Sequence, residues 1–274
     1  MSVPELPEVE TIVRDLRKRL VGSRIMDVTV HDARIVKFSG IEEFRKRLTG
    51  RTVNAVERRG KAIVIALDEG KGFFIVQLMM TGQLIFSAAG EPGRDTKITF
   101  RLSSGEYLFY NDYRIFGKLQ VVERCEDVVY FRQVGPEPLG KEFTVDWLAG
   151  AVQNRTVAIK TLLMNHTFLA GIGNIYASEI LFQSGIHPRR KARSLKRDEL
   201  VRLHGATVGI LKEAIRFRGT SMNTYRDSRG EKGNFINRVR VYGREDEECP
   251  RCRTVVARMV LNGRSTFYCK RCQH

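Results

Sequence analysis

The chain has 274 residues, 42% hydrophobic and 28% charged, enough for two or three domains with real cores and too apolar for a disordered polymer. No apolar run reaches the ~18 residues of a membrane span, and the acidic opening PELPEVE is the opposite of a basic secretory leader. The expectation is a cytoplasmic chain with no membrane partner. The net charge of +16 is unevenly held: residues 1–150 carry 23 Lys and Arg against 21 Asp and Glu, whereas residues 151–274 carry 24 against 10. A basic second half suits a polyanion partner, although a basic surface can also be simply solvated.

In chain order, the first element is a helix. Val9, Ile12, Val13, Leu16 and Leu20 recur on one helical face, Pro7 suits a first turn, and Glu8 and Glu10 suit a helix N-terminus. From about residue 24 to 124 the period falls to two. RIMDVTV, TVNAVE, KAIVIAL, FFIVQL, KITFRL, EYLFYN and KLQVV are short β-rich runs broken by Gly, Asp and Asn, the pattern of a sandwich or barrel. GPEPLG at 135–140 reads as a linker. Helical periodicity returns in VDWLAGAVQ, IKTLLMN, IYASEILFQSG and RDELVRLHGATVGILKEAIRF. The polar stretch 219–235 that follows is expected to be a mobile loop.

Four of the five cysteines fall in the last 26 residues as Cys249-x2-Cys252 and Cys269-x2-Cys272, with 16 residues between the pairs. That spacing makes a closed tetrahedron of thiolates for one structural Zn2+. Asn262-Gly263 between two β runs is a two-residue hairpin signal, and it leaves Arg264 at the tip, either solvated or aimed at a phosphate. Cys125, alone, reads as an apolar filler. In FLAGIGNIYASEILF, Gly171 and Gly173 tighten a turn and Asn174 opens a helix, which makes a possible phosphate cradle. Lys61 follows Gly60 at a strand start. Met80, Arg114 and Phe116 stand near strand ends, either as core plus a surface charge or as a wedge into stacked bases.

PELPEVET, ERRGK, LMMTG, YRIFG, GPEPL, GIGNIYASEILF and GRSTFYCKRCQ occur in one order along nearly the whole length, and in this the chain resembles the bacterial formamidopyrimidine-DNA glycosylases. Leu6, where a related branch that opens with glycine acts on oxidised pyrimidines, favours the oxidised-purine branch. The resemblance implies an α+β multidomain fold: an N-terminal catalytic β-sandwich with flanking helices (1–134), a helix-two-turn-helix domain with a lesion loop (135–234) and a C-terminal zinc finger (235–274). It also implies a monomer that acts on double-stranded DNA containing oxidised purines or abasic sites, associated with the nucleoid.

The same resemblance assigns roles. Pro4 is the amine that attacks C1′, and Glu5 the acid at the sugar ring oxygen. Lys61 serves β-elimination and Arg264 δ-elimination. Asn174, Arg155 and Lys97 contact DNA, while Met80, Arg114 and Phe116 fill the gap left by the flipped nucleotide. Asp95 and Lys97 stand where the family often has His-x-His, which puts that DNA contact in question; Gln77, His166 and Ile115 are further departures. A proline inside a peptide bond has no lone pair to react. The expectation is therefore that Val3 is the true start, read from a GTG codon and removed, with Met1-Ser2-Val3 a misplaced gene start. A chain that keeps Ser2 would bind DNA without cutting it.

Overall fold

The computed structural model describes residues 3–68, 70–222 and 224–274; the expectation of a start at Val3 concerns Met1 and Ser2, which lie outside the described residues. By internal contacts the chain divides into two units, Met1–Arg132 with Phe217–Asn234, and Gln133–Arg216 with Phe235–His274.

The first unit opens with α1 (Leu6–Leu20), whose Val9, Ile12, Val13, Leu16 and Leu20 are all buried. The Glu5 N–H donates to the Glu8 carboxylate at 2.8 Å, which satisfies a donor that a helix start cannot pair internally. Eight strands follow among the described residues: β1 (Ile25–Val30), β2 (Val53–Arg59), β3 (Ala62–Leu67), β4 (Phe73–Gln77), β5 (Gln83–Ser87), β6 (Thr96–Leu102), β7 (Tyr107–Asn111) and β8 (Lys118–Val122), with α2 (Ile41–Leu48) after β1. They form two antiparallel sheets, ordered β1-β6-β7-β5 and β2-β3-β4-β8. Val28, Leu84 and Phe100 from one sheet meet Val56, Ile63 and Phe74 from the other in a single core, closed by the apolar face of α1. The Phe74 and Phe100 rings lie 5.5 Å apart.

This is a β-sandwich, one of the two forms, sandwich or barrel, that the two-residue period allows and the one the family resemblance implies. Strand β5 was not among the seven runs, because only Leu84 and Phe86 carry its alternation. The short α3 (Val129–Gln133) was also missed; it and its flank lay Val128, Tyr130 and Phe131 over Ala62, Val64 and Ile75. Cys125 packs beside the same cluster, and burial pushes its thiol up, in keeping with a filler rather than a nucleophile.

The second unit contains α4 (Val145–Val152), α5 (Ile159–Leu163), α6 (Asn174–Ser184), α7 (Arg197–Arg216) and a hairpin of β9 (Val256–Leu261) and β10 (Arg264–Cys269). Helix α6 is apolar nearly all round and buried over most of its length, as a central helix must be. Its one carboxylate, Glu179, is fully buried and accepts the N–H groups of Arg240, Val241 and Tyr242 at 2.8, 3.0 and 2.9 Å. Burial pushes that carboxyl up, and the three N–H donors oppose the shift. GPEPLG adopts no regular helix or strand, yet it is bound in place: Gly135 N–H donates to His166 O at 2.8 Å and Ala170 N–H to Pro136 O at 3.0 Å. No helix among the described residues is long and apolar enough to cross a membrane.

Candidate active site and metal centre

In the first unit, Pro4 and Glu5 are buried at the head of α1, where Glu5 is 2% exposed. Glu8 organises this corner. One carboxylate oxygen takes the Glu5 N–H and the other takes the Thr220 N–H at 2.7 Å, so the helix start and the 217–234 segment share one anchor. A glutamate three residues after the helix cap is the sequence signal that could have found it.

Lys61 stands at the tight turn between β2 and β3, its N–H donating to Tyr130 Oη at 3.0 Å. The turn is tied to α1. Arg58 reaches Glu10 at 3.1 Å and Gly60 O at 3.0 Å, and Arg17 donates twice to Val56 O, at 3.0 and 2.8 Å. The structure thus joins the elements that carry Pro4-Glu5 and Lys61.

Met80 and the Arg114–Phe116 pair sit on two turns that meet at Asp112, which is 1% exposed. One Asp112 oxygen accepts the Thr81 hydroxyl and the Arg114 N–H; the other accepts the Gly117 N–H at 2.8 Å and lies 3.4 Å from Tyr110 Oη. A Cβ on Gly117 would fall 1.7 Å from Tyr110 Oη, so only glycine fits. Met79 and Ile115 hold positive φ, 53° and 57°, uncommon for any side chain and more so for a β-branched one. The result is a Phe116 ring that is 45% exposed, with the Arg114 guanidinium 4.5 Å over it. Lys97 lies on β6, half-buried, with its carbonyl accepting His31 N–H at 2.8 Å. Nearby Asp32 is held at about 2, first by its hydrogen bond from Arg34 and to a lesser degree by Lys97.

The 219–235 stretch, expected to be mobile, is bound at many points. Tyr225 is buried in the sandwich core; burial pushes its phenol well up. Gln83 Nε2 donates to Thr224 O at 2.6 Å, and the Thr224 hydroxyl to Met80 O at 3.2 Å.

In the second unit, Asn174 is the first residue of α6. Its side chain makes two bonds within the unit: Oδ1 accepts Lys160 Nζ at 2.6 Å and Nδ2 donates to Ser265 O at 3.0 Å. Lys160, which sequence reading passed over, is 1% exposed and also donates to Thr266 Oγ1 at 2.7 Å. It links α5, α6 and the hairpin. Asn262 and Gly263 have φ of 48° and 69°, as the hairpin turn requires, and Asn262 Nδ2 donates to Thr161 Oγ1 at 3.0 Å. Arg264 and Arg155 are both exposed.

The sulfurs of Cys249, Cys252, Cys269 and Cys272 all lie within 4.8 Å of one another. The pairs Cys249–Cys272 and Cys252–Cys269 are 3.9 and 3.5 Å apart, bracketing the ~3.8 Å edge of a tetrahedron with Zn–S bonds near 2.3 Å. Backbone N–H of Arg251 points at Cys249 Sγ at 3.4 Å, and Gln273 ties Cys269 N–H to Ile186 O. The donor set fits one structural zinc, which would tie together a hairpin too small to bury a core of its own.

This order of parts (a sandwich headed by a proline, a helix pair, a four-cysteine ribbon) is matched along the chain by three domain families. Residues 3–119 match the formamidopyrimidine-DNA glycosylase N-terminal domain, 134–226 its H2TH domain, and 246–274 the zinc finger found in FPG and IleRS. The formamidopyrimidine-DNA glycosylase of Desulfitobacterium hafniense is 40% identical over 99% of this chain and 100% of its own. Among solved structures, the Thermus thermophilus MutM (FPG) protein is 35% identical, with a TM-score of 0.88 and 98% of each chain covered. The complex of Lactococcus lactis Fpg with DNA containing an abasic site is 33% identical, with a TM-score of 0.91, covering 98% of this chain and 99% of that one. The chain belongs to the formamidopyrimidine-DNA glycosylase family.

Proposed function

We propose that this chain is a base-excision-repair enzyme, a DNA glycosylase and AP lyase that removes oxidised purines such as formamidopyrimidines and 8-oxoguanine from duplex DNA. The observation that carries the reading is kinship over the whole length with formamidopyrimidine-DNA glycosylases, joined to a Pro4-Glu5 pair buried at the head of α1. Related Lactococcus lactis proteins are seen with DNA holding an abasic site or an N7-benzyl-Fapy-dG. The enzyme works as a monomer on nucleoid DNA in the cytoplasm. Residues 1–134 carry the chemistry, 135–234 grip the backbone and carry the lesion loop, and 235–274 present Arg264.

The chemistry requires Pro4 to be the first residue of the working chain, a secondary amine that titrates near about 8 and is partly neutral at physiological pH. Its nitrogen attacks C1′ of the damaged nucleoside, the bond from C1′ to the base breaks, and the amine proton leaves with the base. Glu5 protonates the ring oxygen, the sugar opens, and C1′ becomes an iminium. Loss of a C2′ proton expels the 3′ phosphate, with Lys61 as donor to the departing oxygen. Loss of a C4′ proton then expels the 5′ phosphate, with Arg264 as its donor. Water hydrolyses the iminium and restores the amine. Arg155, Asn174 and Lys97 bind the DNA, and Met80, Arg114 and Phe116 occupy the place of the extruded nucleotide. The zinc takes no part in these steps; it holds the hairpin that bears Arg264.

Pro4→Gly tests the reading with a duplex carrying 8-oxoguanine opposite cytosine. The variant is expected to lose at least about 100-fold in base excision while its duplex affinity stays unchanged. A native protein that binds the duplex and never cuts it would overturn the proposal.

A further inference from the structure

Arg218, two residues beyond α7, adopts a left-handed backbone with φ 60°. Its side chain is 30% exposed and it clasps two carboxylates that are nearly or wholly buried, Asp15 of α1 at 6% and Asp227 at 0%. Nη2 donates to Asp15 Oδ2 at 2.5 Å and Nε to Asp227 Oδ2 at 2.7 Å. The second Asp227 oxygen accepts the N–H groups of Arg229 and Glu231, each at 2.9 Å. One cation therefore joins the beginning of the 217–234 segment, its middle, and the helix headed by Pro4. Without it, two buried carboxylates would lose the cation they share.

The stretch held between these points runs from Thr220, bound to Glu8 beside Glu5, to Thr224, bound to the carbonyl of Met80. It spans from the proposed nucleophile to the proposed wedge, all within the first unit. On the reading proposed above, in which this segment is the lesion loop, a base drawn out of the duplex so that Pro4 can reach its sugar lies beside Thr220 and Thr224. An abasic sugar has no base to place there.

We propose that Arg218, through Asp15 and Asp227, is a positioning residue for base excision: it sets Thr220 and Thr224 against the Pro4-Glu5 end of α1 and the Met80 turn, and weakening it impairs base removal while sparing strand cleavage at a site already abasic. The proposal rests on the glycosylase and lyase reading above. Arg218 touches no reacting atom; it acts through the segment it anchors.

The test uses the full chain and two duplexes of one sequence, one with 8-oxoguanine and one with a preformed abasic site, followed under single-turnover conditions. Arg218→Gln, which removes the charge, and Asp227→Asn, which keeps the shape, are expected to slow base excision by at least about tenfold, the scale of cost when a reacting group is misplaced, with the abasic duplex cut as fast as by the native chain. Arg218→Lys keeps the charge but cannot fork to two carboxylates, and is expected to fall between. If Arg218→Gln fails to fold, Arg218→Lys carries the comparison. Equal losses on both duplexes, or no loss on either, would overturn the positioning role. A native chain inert on both duplexes would overturn the enzymatic reading itself, and the positioning role with it.

Discussion

Thr81, Arg114 and Gly117 all turn a donor toward the buried carboxylate of Asp112, so the turns bearing Met80 and Phe116 have one common anchor. Asp112→Ala removes the acceptor of the Thr81 hydroxyl and the Gly117 N–H, at about 1–3 kcal/mol for each group that water cannot reach. A melting curve is expected to drop by several degrees, roughly 2–4 °C per kcal/mol for a unit of this size, and base excision to fall with it. An unchanged melting temperature would show that the turns hold without Asp112. Little of this was legible beforehand. NDYRIFG places an acid near an arginine, but no spacing tells which way a buried carboxylate points. Pro4, Glu5, Lys61 and Arg264 enter the proposed site only through the family resemblance; as bare residues, each is an ordinary turn or cap residue.

Elements were legible in proportion to their length and period. The face of α1 and the alternation of β6 stand out in the sequence, whereas β5 and α3, at five residues each, carry too few repeats to rise above chance. The hairpin was legible because its two signals are chemical: Asn-Gly demands positive φ, and paired thiols demand a metal. Its stability is expected to depend on that metal. A zinc chelator, or Cys252→Ser, should release one zinc per chain by elemental analysis and abolish duplex binding; binding that survives complete zinc loss would contradict this. Lys160 binds the hairpin to α5 and α6 through Ser265, Thr266 and Asn174. Lys160→Met removes the donor that the Asn174 and Thr266 side chains share and is expected to destabilise the chain by about 1–3 kcal/mol, the cost of a buried polar group short of its partner, measured by denaturant unfolding.

At the scale of the whole molecule, the charge asymmetry was the most informative feature visible without any motif. It predicts binding that weakens steeply with salt, by a slope of about 0.9 in log K per phosphate neutralised on duplex DNA. Arg155→Ala, an exposed position in the basic half, is expected to weaken damaged and undamaged duplexes alike and to flatten that slope by about 1, with base excision at saturating enzyme unchanged. A loss confined to damaged DNA would assign Arg155 to lesion recognition instead. What composition could not foresee is that 217–234, distant in sequence from the sandwich, belongs to the first unit. That placement comes from Glu8, Asp15 and Tyr225, whose partners lie some two hundred residues away along the chain, a separation no local pattern reveals.

The central claim is that Pro4 forms an iminium with the damaged sugar. Borohydride reduces such an iminium to a permanent bond, so native protein mixed with an 8-oxoguanine duplex and borohydride should yield a covalent adduct. Peptide mass should place that adduct on an N-terminal peptide that begins at Pro4. No adduct from protein that binds the duplex, or an adduct that maps to Lys61 or any other lysine, would contradict the account.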